Sequence, residues 1–294
     1  MKTMNLPKNS GNNMLSKQIK ELFFNMSKYK IIALDIDGTL NSSDHTILSE
    51  TRVALIKAQE QGLKVVLASG RPTPGMMNLA QELKLDEFGG FVLSYNGGRI
   101  TNIKTGEVIH EVFLTPEEAH EIYDLAKESG VNIMAYDGND IITEDDDEYI
   151  QLESNINGMP LKRTDNFRGS VINNTIKTLT TGTPARIAEI EQTYIERFGD
   201  RFSICRSMPF FLEVMPNGIN KAASLAKLLH MLGMTSDDMI ACGDGFNDIE
   251  MIKFAKLGVA MDNAVAEVKA VADYVTKSND DNGIVEVLEK FVLV

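Results

Sequence analysis

Residues 31–40 read Ile-Ile-Ala-Leu-Asp-Ile-Asp-Gly-Thr-Leu, and the rest of the chain is interpreted from this stretch. The apolar run from Ile31 to Leu34 predicts a short buried strand that ends at Asp35. Gly38 allows a tight turn, so Asp35 and Asp37 follow the strand end on the same side. Such a pair could supply a nucleophile, a proton donor and ligands for a hard cation. Taken alone, it could equally be two carboxylates in an ordinary turn.

The same pattern of a short apolar strand followed by a helix occurs on both sides of an irregular middle region. Strands are predicted at Leu63 to Ala68, at Phe91 to Tyr95 and at Met239 to Cys242, each followed by a glycine-containing loop. Apolar strands that alternate with helices are typical of parallel sheets covered on both faces. The sequence therefore predicts an α/β fold, a Rossmann-like doubly wound parallel sheet.

The middle region predicts a separate unit. Residues 104–106 read Lys-Thr-Gly between two extended segments, which is a hairpin signal, and Thr115 to Glu118 form a capping box. Because the α/β pattern stops and later resumes, we expect a core domain of residues 28–98 and 211–294 with an inserted α+β cap domain of residues 99–210. Residues 1–27 are rich in Asn, Lys, Ser and Met, and we expect them to form a disordered tail, with Met26 as an alternative start.

Composition excludes several classes of function. The 294 residues include 42 acidic and 29 basic ones, a formal charge of −13, so binding to nucleic acid or to an anionic membrane surface is not expected. No apolar run approaches the length of about 20 residues that spans a bilayer. Two cysteines, Cys205 and Cys242, make neither a disulfide framework nor a zinc pattern, which favours a cytoplasmic protein. The sequence predicts no oligomeric state.

Polar residues stand at the other predicted strand ends. Ser69, Gly70 and Arg71 could form an anion-binding loop. Lys221 lies at the start of a helix, where a positive charge does not stabilise the helix but is well placed to bind a phosphate. Residues 243–248 read Gly-Asp-Gly-Phe-Asn-Asp, and Asp244 and Asp248 suit a magnesium site. Each of these signals is weak alone. Because the working residues of an open α/β sheet lie at the carboxyl ends of its strands, we expect them to form one site.

Taken in order, these motifs resemble those of the haloacid dehalogenase (HAD) superfamily of aspartyl-phosphate phosphohydrolases. The resemblance runs from about Lys28 to the C-terminus, with Ser69 where the family usually has Thr. The Asn96-Gly97-Gly98 loop and the inserted domain are similar to the Cof-type subgroup. Residues 43–47, 211–214 and 259–264 further resemble the YidA-type sugar phosphatases.

The resemblance implies a role for each of these residues. Asp35 would be the nucleophile, Asp37 the acid/base, and Lys221 a third catalytic residue. Mg²⁺ would be held by Asp35, by Asp37 through its backbone carbonyl and by Asp244, with Asp248 orienting water or Lys221. The resemblance places substrate binding at Ser69, Gly70, Arg71, Asn96, Gly97 and Asn247.

The implied activity is the hydrolysis of small phosphomonoesters, with sugar phosphates as the expected substrates. Because four carboxylates and a phosphate dianion would repel one another, the site needs a cation besides Lys221. Two alternatives remain, a phosphosugar mutase with the same chemistry and a catalytically silent metabolite-binding regulator. The cap residues that contact substrate are not evident. Tyr149, Glu153 and Arg186 are candidates, but ordinary surface positions are the expectation for each.

Overall fold

A computed structural model describes residues 28–293, and the predicted tail of residues 1–27 lies outside the described residues. The strands of the described part form two sheets. In chain order they are β1 (Ile31–Leu34), β2 (Lys64–Ala68), β3 (Phe91–Ser94), β4 (Arg99–Asn102), β5 (Val108–Glu111), β6 (Asn132–Asp137), β7 (Asp140–Thr143), β8 (Leu161–Arg163), β9 (Thr178–Thr181), β10 (Phe202–Met208), β11 (Phe211–Pro216), β12 (Met239–Gly243), β13 (Leu257–Ala260) and β14 (Tyr274–Val275).

The helices of the described part cover both sheets. In chain order they are α1 (Ser49–Glu60), α2 (Pro74–Glu82), α3 (Leu85–Phe88), α4 (Pro116–Glu128), α5 (Glu148–Asn157), α6 (Phe167–Ser170), α7 (Pro184–Phe198), α8 (Lys221–Met231), α9 (Ile249–Phe254), α10 (Ala266–Val271) and α11 (Gly283–Phe291). Short 3₁₀ turns lie at Tyr95–Gly97, Ser236–Asp238, Phe246–Asp248 and Asn279–Asp281. Among the described residues, none of these helices combines the length and apolar character needed to cross a membrane.

The first sheet has eight strands in the order β14-β13-β12-β1-β2-β3-β4-β5. It is parallel from β14 to β3, and β1 lies in its middle, paired with β2 and β12. Successive residues of β1 enter opposite clusters, because Ile32 and Leu34 pack on one face while Ile31 and Ala33 pack on the other. Both faces of the sheet are therefore covered, as in the predicted α/β fold.

The second sheet has six strands in the order β10-β11-β9-β6-β7-β8. One face packs against α4 and α7 through residues such as Ile133 and Leu212. The other face carries Met134, Tyr136 and Phe211, and Tyr95 of the first unit packs into the same cluster. This second face therefore looks towards the carboxyl end of β3.

The sheet pairing differs from the predicted domain boundaries at both ends of the insertion. The predicted hairpin at residues 104–106 exists, but β4 pairs with β3 and therefore extends the first sheet. Conversely, β11 pairs with β9 and β10 in the second sheet. Local sequence predicts a strand but not its partner. The pairing groups β4 and β5 with the first sheet and β11 with the second, whereas the predicted division grouped residues 99–111 with the insertion and residues 211–216 with the core. Below, residues 112–216 are called the cap and the remaining described residues the core.

Candidate active site

The site is built around a buried lysine at the first turn of α8. Asn220 caps this helix, since its side chain accepts a hydrogen bond from the backbone of Ala223. Lys221 is fully buried, and its Nζ lies 2.6 Å from Asp35 Oδ1 and 2.6 Å from Asp248 Oδ1. Burial works to lower the pKa of Lys221, but the charges of Asp248 and Asp35 outweigh it and raise that pKa. The ammonium therefore stays charged between two carboxylates.

The loop after β1 is fitted closely to the loop after β12. Gly38 has φ +84°, and a Cβ at this position would fall on the carboxylate of Asp244. Thr39 Oγ1 donates to Asp244 Oδ1 at 2.7 Å, and Asn263 donates to the Gly38 carbonyl at 2.7 Å. Glycine is thus required at position 38 both for its backbone conformation and for the close approach of Asp244.

Three carboxylates of the described part lie close enough to share a cation. Asp35, Asp244 and Asp248 offer oxygens within 4.8 Å of one another. Burial and the neighbouring Asp248 charge raise the pKa of Asp35 well above its usual value despite Lys221. Burial also raises the pKa of Asp244 to about 6, opposed by the hydrogen bond from Thr39. Such crowding of negative charge fits a divalent cation with oxygen ligands, and Mg²⁺ prefers such ligands.

The other two predicted metal-site aspartates have different surroundings. Both oxygens of Asp248 are engaged, because Oδ1 accepts from Lys221 and Oδ2 accepts from the backbone N–H groups of Asp244 and Gly245. Asp248 therefore contacts both Lys221 and the backbone of the loop that carries Asp244. Asp37 lies outside the three-carboxylate cluster, and its half-exposed carboxylate accepts from Arg71 Nε at 2.8 Å and from Nη2 at 2.5 Å. Of Asp37, only the backbone carbonyl was expected to contact the metal.

The predicted substrate-binding residues divide into two groups. Ser69, Gly70, Arg71 and Asn247 line a cavity of about 620 Å³, together with Asp35, Asp37, Asp244 and Asp248. Within the described part, Asn96, Gly97 and Lys221 are not among the residues that line it. Asn96 Oδ1 instead accepts from Asn247 Nδ2 at 3.0 Å, and the Gly97 carbonyl accepts from Ser224 Oγ at 2.8 Å. In this structure Asn96 and Gly97 position neighbouring groups.

The opposite wall of the cavity comes from the cap. Glu153 and Asn157 of α5, Lys177 beside β9, and Phe211 and Glu213 of β11 all line it. Of the three cap candidates named from the sequence, Glu153 is buried and borders the cavity. Tyr149 stacks on Phe210, and Arg186 donates to the backbone carbonyl of Ser129. The expectation of an ordinary surface position was therefore wrong for Glu153.

Sequence reasoning missed Lys177 and Glu213 as site residues, although a signal was present. Each is a charged residue among apolar or β-branched neighbours, in Thr-Ile-Lys-Thr-Leu at residues 175–179 and Phe-Leu-Glu-Val at residues 211–214. A charge within a strand that reads as buried requires a partner. That partner lies 36 positions away in the chain, so the pairing depends on the sheet register.

With this geometry established, comparison with known proteins identifies the family. A family model described as haloacid dehalogenase-like hydrolase matches residues 32–288. A Bacillus subtilis relative, named 5-amino-6-(5-phospho-D-ribitylamino)uracil phosphatase, is 32% identical over 270 residues, covering 90% of this chain and 96% of that protein.

Two solved structures share the fold. A haloacid dehalogenase-like hydrolase from Bacteroides thetaiotaomicron is 45% identical with a TM-score of 0.85, covering 89% of this chain and 99% of that one. A HAD subclass IIB sugar phosphatase is 27% identical with a TM-score of 0.76, covering 90% of this chain and 100% of that one. The resemblance inferred from the motifs is confirmed. The chain is therefore an enzyme of the haloacid dehalogenase-like hydrolase family, and the relatives named here include phosphatases of that family.

Proposed function

We propose that the protein is a Mg²⁺-dependent phosphatase that hydrolyses small phosphomonoesters through an aspartyl-phosphate on Asp35. One observation carries the proposal. Asp35 borders the cavity, its Oδ1 is held by the buried Lys221, and two further carboxylates lie within 4.8 Å. A fixed, buried carboxylate at the end of a strand is well placed as a nucleophile.

Asp35 would attack the phosphorus atom and displace the alcohol, and water would then cleave the acyl phosphate. Lys221 keeps the nucleophile in place and offsets part of the negative charge. Mg²⁺, which Asp35, Asp244 and the backbone of Asp37 would hold, supplies charge neutralisation and orientation of the phosphoryl group. Asp248 fixes Lys221 and the loop that carries Asp244.

Asp37 would protonate the leaving alcohol and later take a proton from water. Its carboxylate borders the cavity and is half exposed, so it can reach a bound ester. In this structure Arg71 holds it through two hydrogen bonds. Arg71 would pass its donors to the phosphate when substrate enters, which releases Asp37 for proton transfer.

A phosphorylated sugar or sugar alcohol is the substrate class that we propose. The cavity of about 620 Å³ is closed on one side by the cap, which suits a small metabolite better than a macromolecule. One relative is named for a phosphate ester of a ribityl compound and another is called a sugar phosphatase, which supports this class. We expect no nucleic-acid or membrane partner, and we propose a cytoplasmic location on the basis of the free thiols Cys205 and Cys242.

The test combines two variants with removal of the metal. Asp35→Asn is nearly isosteric and should abolish phosphate release, whereas Asp37→Asn should slow it by roughly 10²–10⁴-fold. Thorough chelation should stop the wild-type enzyme, and added Mg²⁺ should restore it. Phosphate release from an aryl phosphate measures all three, with circular dichroism confirming that each variant is folded.

Two results would contradict the proposal. Near-normal turnover by Asp35→Asn would exclude the covalent route, and activity that survives chelation would exclude the metal. Product analysis with a sugar phosphate separates hydrolysis from transfer, because a phosphosugar mutase would return the phosphate to the sugar. A panel of phosphorylated metabolites compared by kcat/KM should give sugar phosphates a lead of about tenfold or more.

A further inference from the structure

The cap wall of the cavity contains a buried ion pair that the proposed chemistry does not use. Lys177 Nζ donates to Glu213 Oε1 at 2.9 Å, and the two side chains are only 2% and 4% exposed. The ammonium also lies 5.3 Å from the ring centre of Tyr136 and 6.0 Å from that of Tyr95. Burial works to lower the pKa of Lys177, but Glu213 and Glu153 overcome it, so the ammonium stays charged.

Lys177 contacts only one of the two carboxylate oxygens of Glu213. Its Oε2 is buried and has no hydrogen-bond partner among the described residues. Asn157 also has a buried, unpartnered Oδ1, but that atom packs against Gly75 of α2, while its Nδ2 donates to the Glu153 carbonyl at 2.9 Å. Of the unpartnered buried polar atoms in the described part, those of Glu213 and Asn157 belong to residues that line the cavity. An unpaired buried acceptor is unfavourable, so a donor is expected there when the site is occupied.

The strand geometry places the side chain of Glu213 on the cavity side of β11. Along β11, Leu212 and Val214 enter the cluster packed on the cap helices, while Phe211 and Glu213 line the cavity. The cavity continues from these residues to Asp35. A phosphate seated at Asp35 would therefore leave the alcohol part of the ester facing Glu213.

The balance of charge on the cap wall restricts what that alcohol can be. Glu153 and Glu213 contribute two carboxylates against the single ammonium of Lys177, a net charge of −1 among these cavity-lining residues. The Tyr136 hydroxyl donates a hydrogen bond to Glu153 Oε1 at 2.7 Å, so its proton is not available to a substrate. No cation of the described cap wall is free to receive a carboxylate or a second phosphate, and an anion there would be repelled at short range.

We propose that Glu213, with the Lys177 ion pair that fixes it, is a specificity-determining subsite that accepts hydrogen-bond donors of the leaving alcohol and rejects anionic leaving groups. The inference rests on the proposed phosphatase function and deepens it. The favoured substrates are phosphate esters whose far end carries hydroxyl or ammonium groups. Bisphosphates, pyrophosphates and phosphorylated sugar acids are disfavoured. A site built to bind a donor discriminates strongly, because the wrong substrate leaves its buried acceptor unpaired.

A matched pair of substrates tests this directly. Sorbitol 6-phosphate and 6-phosphogluconate have the same chain length and phosphate position, and they differ in a terminal hydroxymethyl group against a carboxylate. The wild-type enzyme with Mg²⁺ should favour sorbitol 6-phosphate by at least about tenfold in kcat/KM. An aryl phosphate, which lacks the donors, reports the hydrolytic step separately, so its failure to react would contradict the proposed function itself.

Glu213→Gln keeps the shape and the hydrogen bond from Lys177, while it turns the free acceptor into a donor and removes the charge. It should lower the preference for sorbitol 6-phosphate over 6-phosphogluconate by about tenfold or more. Glu191→Gln is the matched control, since Glu191 pairs with Arg206 and is not among the residues lining the cavity, and it should keep the wild-type preference. Should Glu213→Gln fail to fold, Glu153→Gln removes the other carboxylate of the cap wall and should lower the same preference.

Equal kcat/KM values for the two sugar derivatives, with the aryl phosphate hydrolysed normally, would overturn the subsite and leave the phosphatase standing. An unchanged preference in folded Glu213→Gln would overturn it as well.

Discussion

Asp244 has a partly buried carboxyl group that accepts a hydrogen bond and lies close to two other carboxylates. Thr39 Oγ1 donates to Asp244 Oδ1 at 2.7 Å, and carboxylate oxygens of Asp35 and Asp248 lie within 4.8 Å of one of Asp244. Burial is the main cause that raises its pKa to about 6, and the Thr39 hydrogen bond opposes the shift. A raised pKa at a proposed metal ligand means that protons and the cation compete for the same oxygens.

The first prediction concerns this competition. Below pH 6 Asp244 takes up a proton, so the affinity for Mg²⁺ should weaken by about tenfold for each pH unit in that range. Without metal, protonation of Asp244 stabilises the fold, because the folded protein holds this proton more tightly than the unfolded chain does. The stability that it contributes is lost as the pH rises from the ordinary value near 4 through 6. Isothermal titration and Tm measured between pH 4 and 8, with and without Mg²⁺, test both parts.

Thr39→Val provides the matched variant, since it keeps the side-chain shape and removes the hydrogen bond that lowers the Asp244 pKa. The onset of weakened Mg²⁺ binding should move to higher pH. A Mg²⁺ affinity that stays constant from pH 7.5 to pH 5 would contradict the assignment of Asp244 as a ligand.

At the scale of elements, the loop after β3 shows how backbone conformation shapes the site. Tyr95, Asn96 and Gly97 have φ of 54°, 55° and 105°, a run in the left-handed region that ordinary residues rarely adopt. The run turns Asn96 towards Asn247 and brings the Gly97 carbonyl to Ser224 of α8. Because α8 begins at Lys221, this loop also supports the helix that presents the lysine.

The second prediction follows from that contact. In Gly97→Ala the new Cβ would lie 2.6 Å from Ser224 Oγ and 2.8 Å from the Asn220 carbonyl, so the helix must shift. Gly106 has φ +71° and nothing within 4 Å of its Cβ position, so Gly106→Ala isolates the backbone cost, about 1–2 kcal/mol. Gly97→Ala should lower the free energy of unfolding by roughly 1–3 kcal/mol more. Urea denaturation measures both, and equal losses would show that the contact with α8 is unimportant.

At the scale of the whole molecule, the activity that we propose requires the cap and the core to meet over one cavity. A contact between them lies where α2 meets α5, since a Cβ on Gly75 would fall 2.5 Å from Asn157 Oδ1 and 3.2 Å from its Cα. Gly75 lies within α2 and has no positive φ, so its own helix does not require glycine. The absence of a side chain at Gly75 allows α2 of the core to lie close to α5 of the cap.

The third prediction separates that approach from folding. Gly75→Ala should leave Tm unchanged or slightly raised, because alanine favours a helix, but it should push the cap away from the core. We expect kcat/KM for an aryl phosphate to fall several-fold and the radius of gyration from small-angle scattering to increase. Gly182→Ala, whose Cβ would meet its nearest neighbour at an ordinary 3.4 Å, is the control within the cap. Wild-type kinetics in Gly75→Ala would contradict a closed cap as the active arrangement.

The sequence by itself predicted the α/β core with an inserted domain, which the related structures confirm, and it predicted that a set of candidate site residues lies at one edge of the sheet. Each depends on local information, namely an apolar run of strand length followed by a polar turn at Asp35, Ser69 or Asp244. Because parallel strands place their carboxyl ends at one edge, such a sequence predicts that distant residues meet. Lys221, Asp35 and Asp248 do meet, through two contacts of 2.6 Å.

The tertiary structure alone decided which strands pair and what faces the cavity from the cap. Strands β4 and β11 form their backbone hydrogen bonds with partners that local sequence does not specify, so the sheet that each strand joins was not predictable. Lys177 directly precedes β9 and Glu213 lies within β11. Because these two strands lie side by side in one sheet, two charges that are distant in the chain become a buried pair at the cavity wall. The sequence shows that a charged residue in a buried strand needs a partner, but which residue is that partner depends on contacts between distant parts of the chain.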